Sequence, residues 1–94
     1  MKVRYYIDPL TDVPHVYNHN VSENEVEEVL ASPVEDRPGR DGCRVAIGYS
    51  LAGRTLKVIY VPDYEPDSAF VITAYELRGA PLLAYRRRAR RKHS

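Results

Sequence analysis

Apolar residues recur along the chain at two spacings, the alternation of strands and the wider period of helices. Val3 to Ile7 (V-R-Y-Y-I) is rich in β-branched and aromatic side chains and stops at Asp8-Pro9, a turn signal, which predicts a first strand. Thr11 to Asn20 is polar, carries Pro14 and reads as a loop. Val26, Val29 and Leu30 then mark one helical face, with Glu23, Glu27 and Glu28 on the other. Ser22 and Glu25 form an S-x-x-E capping box, and Val21 with Val26 fits a hydrophobic staple. The acids crowd the N-terminal turns, where the helix dipole favours negative charge, and Pro33 ends the helix.

Glu35 to Gly42 (E-D-R-P-G-R-D-G) reads as a turn or exposed loop. Cys43 to Leu51 and Arg54 to Val61 read as strands joined by a tight Ala52-Gly53 turn, a hairpin. Pro62 to Asp67 is a wider acidic turn. Ala69 to Tyr75 is a near-continuous apolar run, which predicts a central strand buried on both faces. Gly79-Ala80-Pro81 opens a last helix, with proline at an allowed first-turn position, and Leu82, Leu83 and Tyr85 follow. The order strand, helix, three antiparallel strands, helix predicts an α+β fold, a small antiparallel sheet flanked by helices. One domain is expected over 1–85, with a basic tail, 86–94, extending the last helix.

Composition narrows the class. A chain of 94 residues, 44% hydrophobic and 29% charged, is one folded domain rather than a disordered segment. Its core is small, so a second copy or another partner would add stability. The single cysteine, Cys43, cannot close an internal disulfide and is expected as a small buried side chain. No stretch approaches the ~20 apolar residues of a membrane helix, and Met1 to Leu10 does not read as a signal peptide, so a cytoplasmic protein with no membrane partner is expected.

The net charge of +1 hides an asymmetry. Residues 1–85 carry all thirteen Asp and Glu beside eight Lys and Arg, a net −5, whereas the last nine residues carry Arg86, Arg87, Arg88, Arg90, Arg91 and Lys92, a net +6. Such a block is an electrostatic footprint for phosphate backbones or acidic partners. It is equally readable as a solvated tail, or as a segment that contacts the chain's own acids around Glu23, Glu25, Glu27 and Glu28.

Candidate chemistry is sparse. There is no Gly-rich phosphate loop, no H-E-x-x-H and no paired cysteines, and His15, His19, His93 and Cys43 have no metal-ligand spacing, so no cofactor or metal is expected. His15-Val16-Tyr17-Asn18-His19 places two imidazoles four residues apart just before a helix. Imidazole serves as general acid or base near neutral pH, although one of the pair could simply hydrogen-bond the loop in place. Eight tyrosines against one phenylalanine and no tryptophan put a hydroxyl on nearly every aromatic ring, a composition that suits interfaces as well as cores.

Several of these segments resemble a known family. Val16 to Pro33 (V-Y-N-H-N-V-S-E-N-E-V-E-E-V-L-A-S-P) resembles the opening of BrnT-type toxins of the RelE-like ribonuclease superfamily, with His19, Val21, Ser22, the acidic helix and Pro33 matching. Arg44 to Gly48 and Gly53 to Tyr60 resemble that family's R-x-x-x-G hairpin. Val71 to Ala74 resembles its I-I-S-A strand, and Tyr85 falls at the spacing of its last-helix tyrosine. A related group of small uncharacterised proteins near toxin–antitoxin loci shares the Y-E-L-R-G and arginine-rich ending. The chain departs from the toxin pattern at Tyr75, where arginine stands, at Pro81, where glutamate stands, and at Asn20, where glycine stands.

The resemblance implies a RelE-like fold and a metal-independent endoribonuclease of a bacterial toxin–antitoxin pair, held in check by a cognate antitoxin protein. In that reading His19 is acid or base, Arg44 and Arg54 clamp phosphate, and Tyr75 and Tyr85 stack bases or donate a hydrogen bond. Arg86, Arg87, Arg88, Arg90, Arg91 and Lys92 bind RNA. It requires His19, Arg44 and Arg54 to face one concave surface, and Arg54→Ala to abolish cleavage with the fold intact. The alternatives are a non-catalytic module that binds RNA or protein through the arginine block and surface tyrosines, and a degenerate toxin relative that assembles with another chain, homo-oligomers included.

Overall fold

A computed structural model describes residues 2–63, 65 and 67–93, with residues 92 and 93 as backbone only. Tyr64 and Pro66 of the expected acidic turn, Met1, Ser94 and the side chains of Lys92 and His93 therefore lie outside the described residues. The elements are β1 (Lys2–Tyr5), a 3₁₀ turn (His15–His19), α1 (Glu23–Ala31), β2 (Glu35–Pro38), β3 (Arg44–Tyr49), β4 (Thr55–Pro62), β5 (Ser68–Glu76) and α2 (Gly79–His93). The fold is α+β, as the pattern predicts. Five strands form one mixed sheet in the order β1-β5-β4-β3-β2.

The expected hairpin and the strand after it pair antiparallel, Val45 against Ile59 and Val58 against Ala74. The first strand differs from expectation in its partner: β1 lies parallel to β5, Val3 beside Ala69, which makes the sheet mixed. The expected loop at Glu35–Gly42 also holds a strand. Glu35 to Pro38 pair antiparallel with β3, and only residues 39–43 form the turn. Pro38 is tolerated because it ends an edge strand, where a missing N–H breaks no ladder.

α1 begins as its sequence dictates. The Ser22 side chain accepts from the Glu25 N–H, and the Glu25 carboxylate accepts from the Ser22 N–H. Its apolar face, Val26, Val29 and Leu30, packs with Val16 and Val21 on Ala46, Leu56, Val58, Val71 and Ala74. Alternation along the strands sends Val45, Ile47 and Ile59 to the opposite face, where Leu82, Tyr85 and Ala89 of α2 cover them. The sheet is thus sandwiched between α1 and α2. Among the described residues no helix is long and apolar enough to cross a membrane.

Candidate functional site

The loop between β1 and α1 is folded by its own polar groups. Asp8 accepts from the Leu10 N–H at 2.8 Å, the Asp8 N–H donates to the Val13 carbonyl, and the His15 N–H donates to the Tyr6 carbonyl. The chain therefore doubles back, and the 3₁₀ turn seats the buried Val16 beside β5. Asn20 closes this turn at φ +58, left-handed backbone that asparagine tolerates. His15 and His19 remain on the outer side.

Asp8 also holds His15. Its Oδ2 lies 3.1 Å from His15 Nδ1 and accepts from the Asn18 amide at 2.6 Å. The Leu10 N–H, then His15 and Asn18, hold the Asp8 carboxyl below its ordinary value. An ionised carboxylate can only accept, so this contact selects the forms of His15 with a proton on Nδ1, and in the neutral one Nε2 is the acceptor. The loop-holding and the chemical reading of this histidine are compatible, because orienting one nitrogen frees the other.

From His15 the rings continue into a cluster. The His15 and His19 centroids are 5.3 Å apart, His19 and Tyr75 are 5.9 Å apart, and Lys57 Nζ sits 5.8 Å from the Tyr75 centroid. Lys57 and Tyr75 are register partners on β4 and β5, which fixes their approach. The imidazole nitrogens of His19, the Tyr75 hydroxyl and the Lys57 ammonium hydrogen-bond no described residue. Proton-transfer groups, a hydroxyl donor and a cation thus share one surface with free valences.

The other expected site residues are elsewhere. Arg44 leaves the α1 face of β3, where its Nε donates to Asp36 Oδ1 at 2.8 Å beside the Tyr60–Asp36 contact. Five residues of strand, roughly 17 Å, separate it from Tyr49, the register partner of Thr55 next to Arg54. Arg54 does reach the turn after His19, donating to the Asn20 carbonyl at 2.9 Å. Its remaining bonds go to Glu25 at 2.8 Å and Glu76 at 3.1 Å, so it is a structural tie between α1 and β5. Tyr85 is 0% exposed, its hydroxyl donates to Tyr49, and burial pushes its ionisation well up, so its ring cannot stack a base.

The arginine block is helical and not uniform. Arg88 forks onto Glu35 at 2.9 and 3.1 Å, whereas Arg86, Arg87, Arg90 and Arg91 are exposed. The acid that receives Arg88 is therefore Glu35 of β2. Lys92, expected to bind RNA, has its side chain outside the described residues. Arg86 and Arg90 flank Tyr49, which is 51% exposed. The loop of residues 6–17 exposes Tyr6, Ile7, Leu10, Val13 and Tyr17.

Four groups escaped the sequence reading. Lys57 could have been found as the one charge on the face that Ile47 and Ile59 share. Asp8 gives no local signal, because it meets His15 and Asn18 only through the folded loop. Arg37 and Arg40 were absorbed into the loop reading, yet with Lys57 they border a cavity of about 530 Å³ on the α2 side of the sheet. Cys43, expected buried, is half-buried on the same cavity. Among the described residues no three His, Cys, Asp or Glu side chains gather as a metal ion would need.

A small α+β domain with an oriented imidazole and a His–Tyr–Lys cluster built on two interior strands is the class that fold and site define. Residues 16–76 match the family model described as "Domain of unknown function (DUF4258)", and the chain belongs to that family. The matched span holds His19, Lys57 and Tyr75 and stops short of α2. Comparison with curated proteins and with solved structures found no match.

Proposed function

We propose that the protein is a metal-independent endoribonuclease of RelE-like toxin type, acting in the cytoplasm and restrained by an antitoxin protein. The observation that carries this reading is the His15–His19–Tyr75–Lys57 cluster, in which Asp8 engages one nitrogen of His15 and the polar ends of His19, Tyr75 and Lys57 hydrogen-bond no described residue. The toxin context is supported by the resemblance across Val16–Pro33.

In such a reaction the RNA's own 2′-oxygen attacks the adjacent phosphorus, and its proton passes to an imidazole nitrogen. The P–O5′ bond breaks, the leaving oxygen takes a proton from the second imidazole, and the products are a 2′,3′-cyclic phosphate and a 5′-hydroxyl. Lys57 offsets charge on the phosphoryl oxygens, and Tyr75 donates to them; such positioned groups contribute most of the acceleration in acyl and phosphoryl transfer. The test is incubation of purified protein with RNA in EDTA. Cleavage ending in cyclic phosphate, lost in His19→Ala and in Lys57→Ala, is expected. An intact RNA with folded wild-type protein overturns the reading.

A second reading has its own observation. Tyr49, exposed between Arg86 and Arg90, combines an aromatic platform with two cations, the pairing that single-stranded nucleic acid binds without chemistry. Binding that falls steeply with salt and disappears in Tyr49→Ala, with no cleavage, selects it over the enzyme.

A further inference from the structure

α2 covers only part of its face of the sheet. Beyond it, between the sheet and the 39–43 turn, lies the cavity of about 530 Å³ bordered by Arg37, Arg40 and Lys57. We propose that this cavity is a nucleotide subsite, holding one phosphate-and-base unit of an RNA strand beside the His19–Tyr75 pair. The inference rests on the reading of the protein as one that acts on RNA, and names where the strand lies.

Charge at the rim favours an anion. Three cations stand against one carboxylate, Asp41. Arg40 and Lys57 make no ion pair with a described residue, and the Lys57 ammonium lies over the Tyr75 ring. Arg37 donates through Nε to Glu35 Oε1 at 3.2 Å, an oxygen that Arg88 already shares, so its terminal nitrogens remain available. A guanidinium keeps its charge and can meet a phosphate with two parallel bonds.

The floor favours more than an anion. Ile59 and Ile72 supply apolar surface for a base or ribose. The register passes from Ile59–Thr73 to Tyr60–Val71, so Ile72 is an extra residue on β5, a bulge that turns both Ile72 and Thr73 to the cavity. Thr73 Oγ1 is buried and has no hydrogen-bond partner among the described residues. Buried hydroxyls are almost always satisfied, and a ribose or base edge in the cavity would satisfy this one. The volume falls within the ~300–1,000 Å³ of small-molecule sites. Lys57 belongs to both places, so a phosphate at the rim lies next to the proton-transfer groups.

Titration with 5′-AMP, adenosine and inorganic phosphate, followed by amide shifts at residues 37–45 and 57–59, tests this. AMP is expected to bind at least about tenfold more tightly than either fragment, and Arg40→Ala, in an exposed turn, to weaken it about tenfold, the loss of one charge-assisted contact. A 2′-O-methyl oligonucleotide, which cannot undergo 2′-oxygen attack, is expected to bind more tightly still and to shift the same residues. Binding of phosphate as tight as AMP, AMP shifts indifferent to Arg40→Ala, or none at millimolar AMP overturns the subsite. A mononucleotide has no internal phosphodiester, so its binding without RNA cleavage would refute the nuclease and leave the subsite standing. Cleavage without AMP binding would do the reverse.

Discussion

Glu35 and Arg88 lie fifty-three residues apart in sequence and meet through two hydrogen bonds of 2.9 and 3.1 Å. The contact ties α2 to the edge strand β2. Glu35 is only 8% exposed, and Arg37 donates to the same carboxylate, so one negative charge is neutralised from two sides. One member of the arginine block, Arg88, is therefore a structural residue, whereas Arg86 and Arg90 are exposed.

The block should separate in a denaturation experiment. Arg88→Ala leaves Glu35 buried with only Arg37 and is expected to cost about 2 kcal/mol, whereas Arg86→Ala and Arg90→Ala should fall within about 0.5 kcal/mol of wild type. RNA affinity should respond in the opposite order. Equal stabilities across the three variants would remove the structural role of Arg88. Deleting 86–94 outright is a poorer probe, because it also removes Ala89, which packs on the α2 core.

Acid should weaken the fold through the same carboxylates. Burial alone would raise Glu35, but Arg88 and Arg37 outweigh it and hold it below the ordinary range. Glu25 behaves alike, with the Ser22 N–H and Arg54 overcoming burial, and Arg54 lowers Glu76. A depressed carboxylate contributes stability that is complete above its unfolded value of about 4.3 and is lost as pH falls through the folded value. Urea midpoints should therefore be flat from neutral pH down to about 5 and drop below about 4.3, with a shallower drop in Glu35→Gln. Identical acid profiles for the two proteins would contradict this assignment.

Arg54 shows where sequence reading succeeds and fails. Four of the five strands, the capping box and the two helices are legible because each is written in local spacing, Ser22 to Glu25 or Val26 to Leu30. The hairpin around Gly53 was legible for the same reason. What Arg54 touches was not, since Glu25 and Glu76 lie 29 and 22 residues away and only the folded sheet brings them together. The β1–β5 pairing and the Glu35 strand were hidden likewise: parallel partners carry no turn between them, and E-D-R-P has the composition of a loop. His19 and Tyr75 were named from the sequence and do meet, but the cation beside them is Lys57. Arg54→Ala is accordingly expected to destabilise by about 2–3 kcal/mol through two stranded carboxylates. Wild-type stability with lost cleavage would instead restore the phosphate-clamp role.

Tyr85 offers a cleaner separation of packing from chemistry. Its ring fills the α2 core and its hydroxyl meets Tyr49 Oη at 3.2 Å. Tyr85→Phe keeps the ring and removes one hydrogen bond, so it should cost about 1 kcal/mol and leave RNA cleavage unchanged. Tyr85→Ala empties a fully buried site and should cost about 3–5 kcal/mol. Cleavage lost in Tyr85→Phe at unchanged stability would make the hydroxyl a reacting group.

Asp8 holds His15 from behind the ring cluster. Its Oδ2 fixes the proton of His15 on Nδ1, and Asn18 braces the same oxygen. In Asp8→Asn the remaining oxygen can still accept from the Leu10 N–H, so the loop keeps its turn. The new amide nitrogen, however, would face two donors, and the imidazole would turn or move its proton to Nε2. Cleavage is expected to fall about 100-fold, the scale of one misplaced acid–base group, with little change in stability. Nitrogen NMR of the His15 ring should show Nδ1–H in wild type and its loss in Asp8→Asn, a signature that a merely structural role would not give. The double variant Asp8→Asn, His15→Ala should cleave no more slowly than His15→Ala alone, because the carboxylate works only through that ring. Additive losses would mean that Asp8 acts on the reaction by another route, and the orienting role would fall.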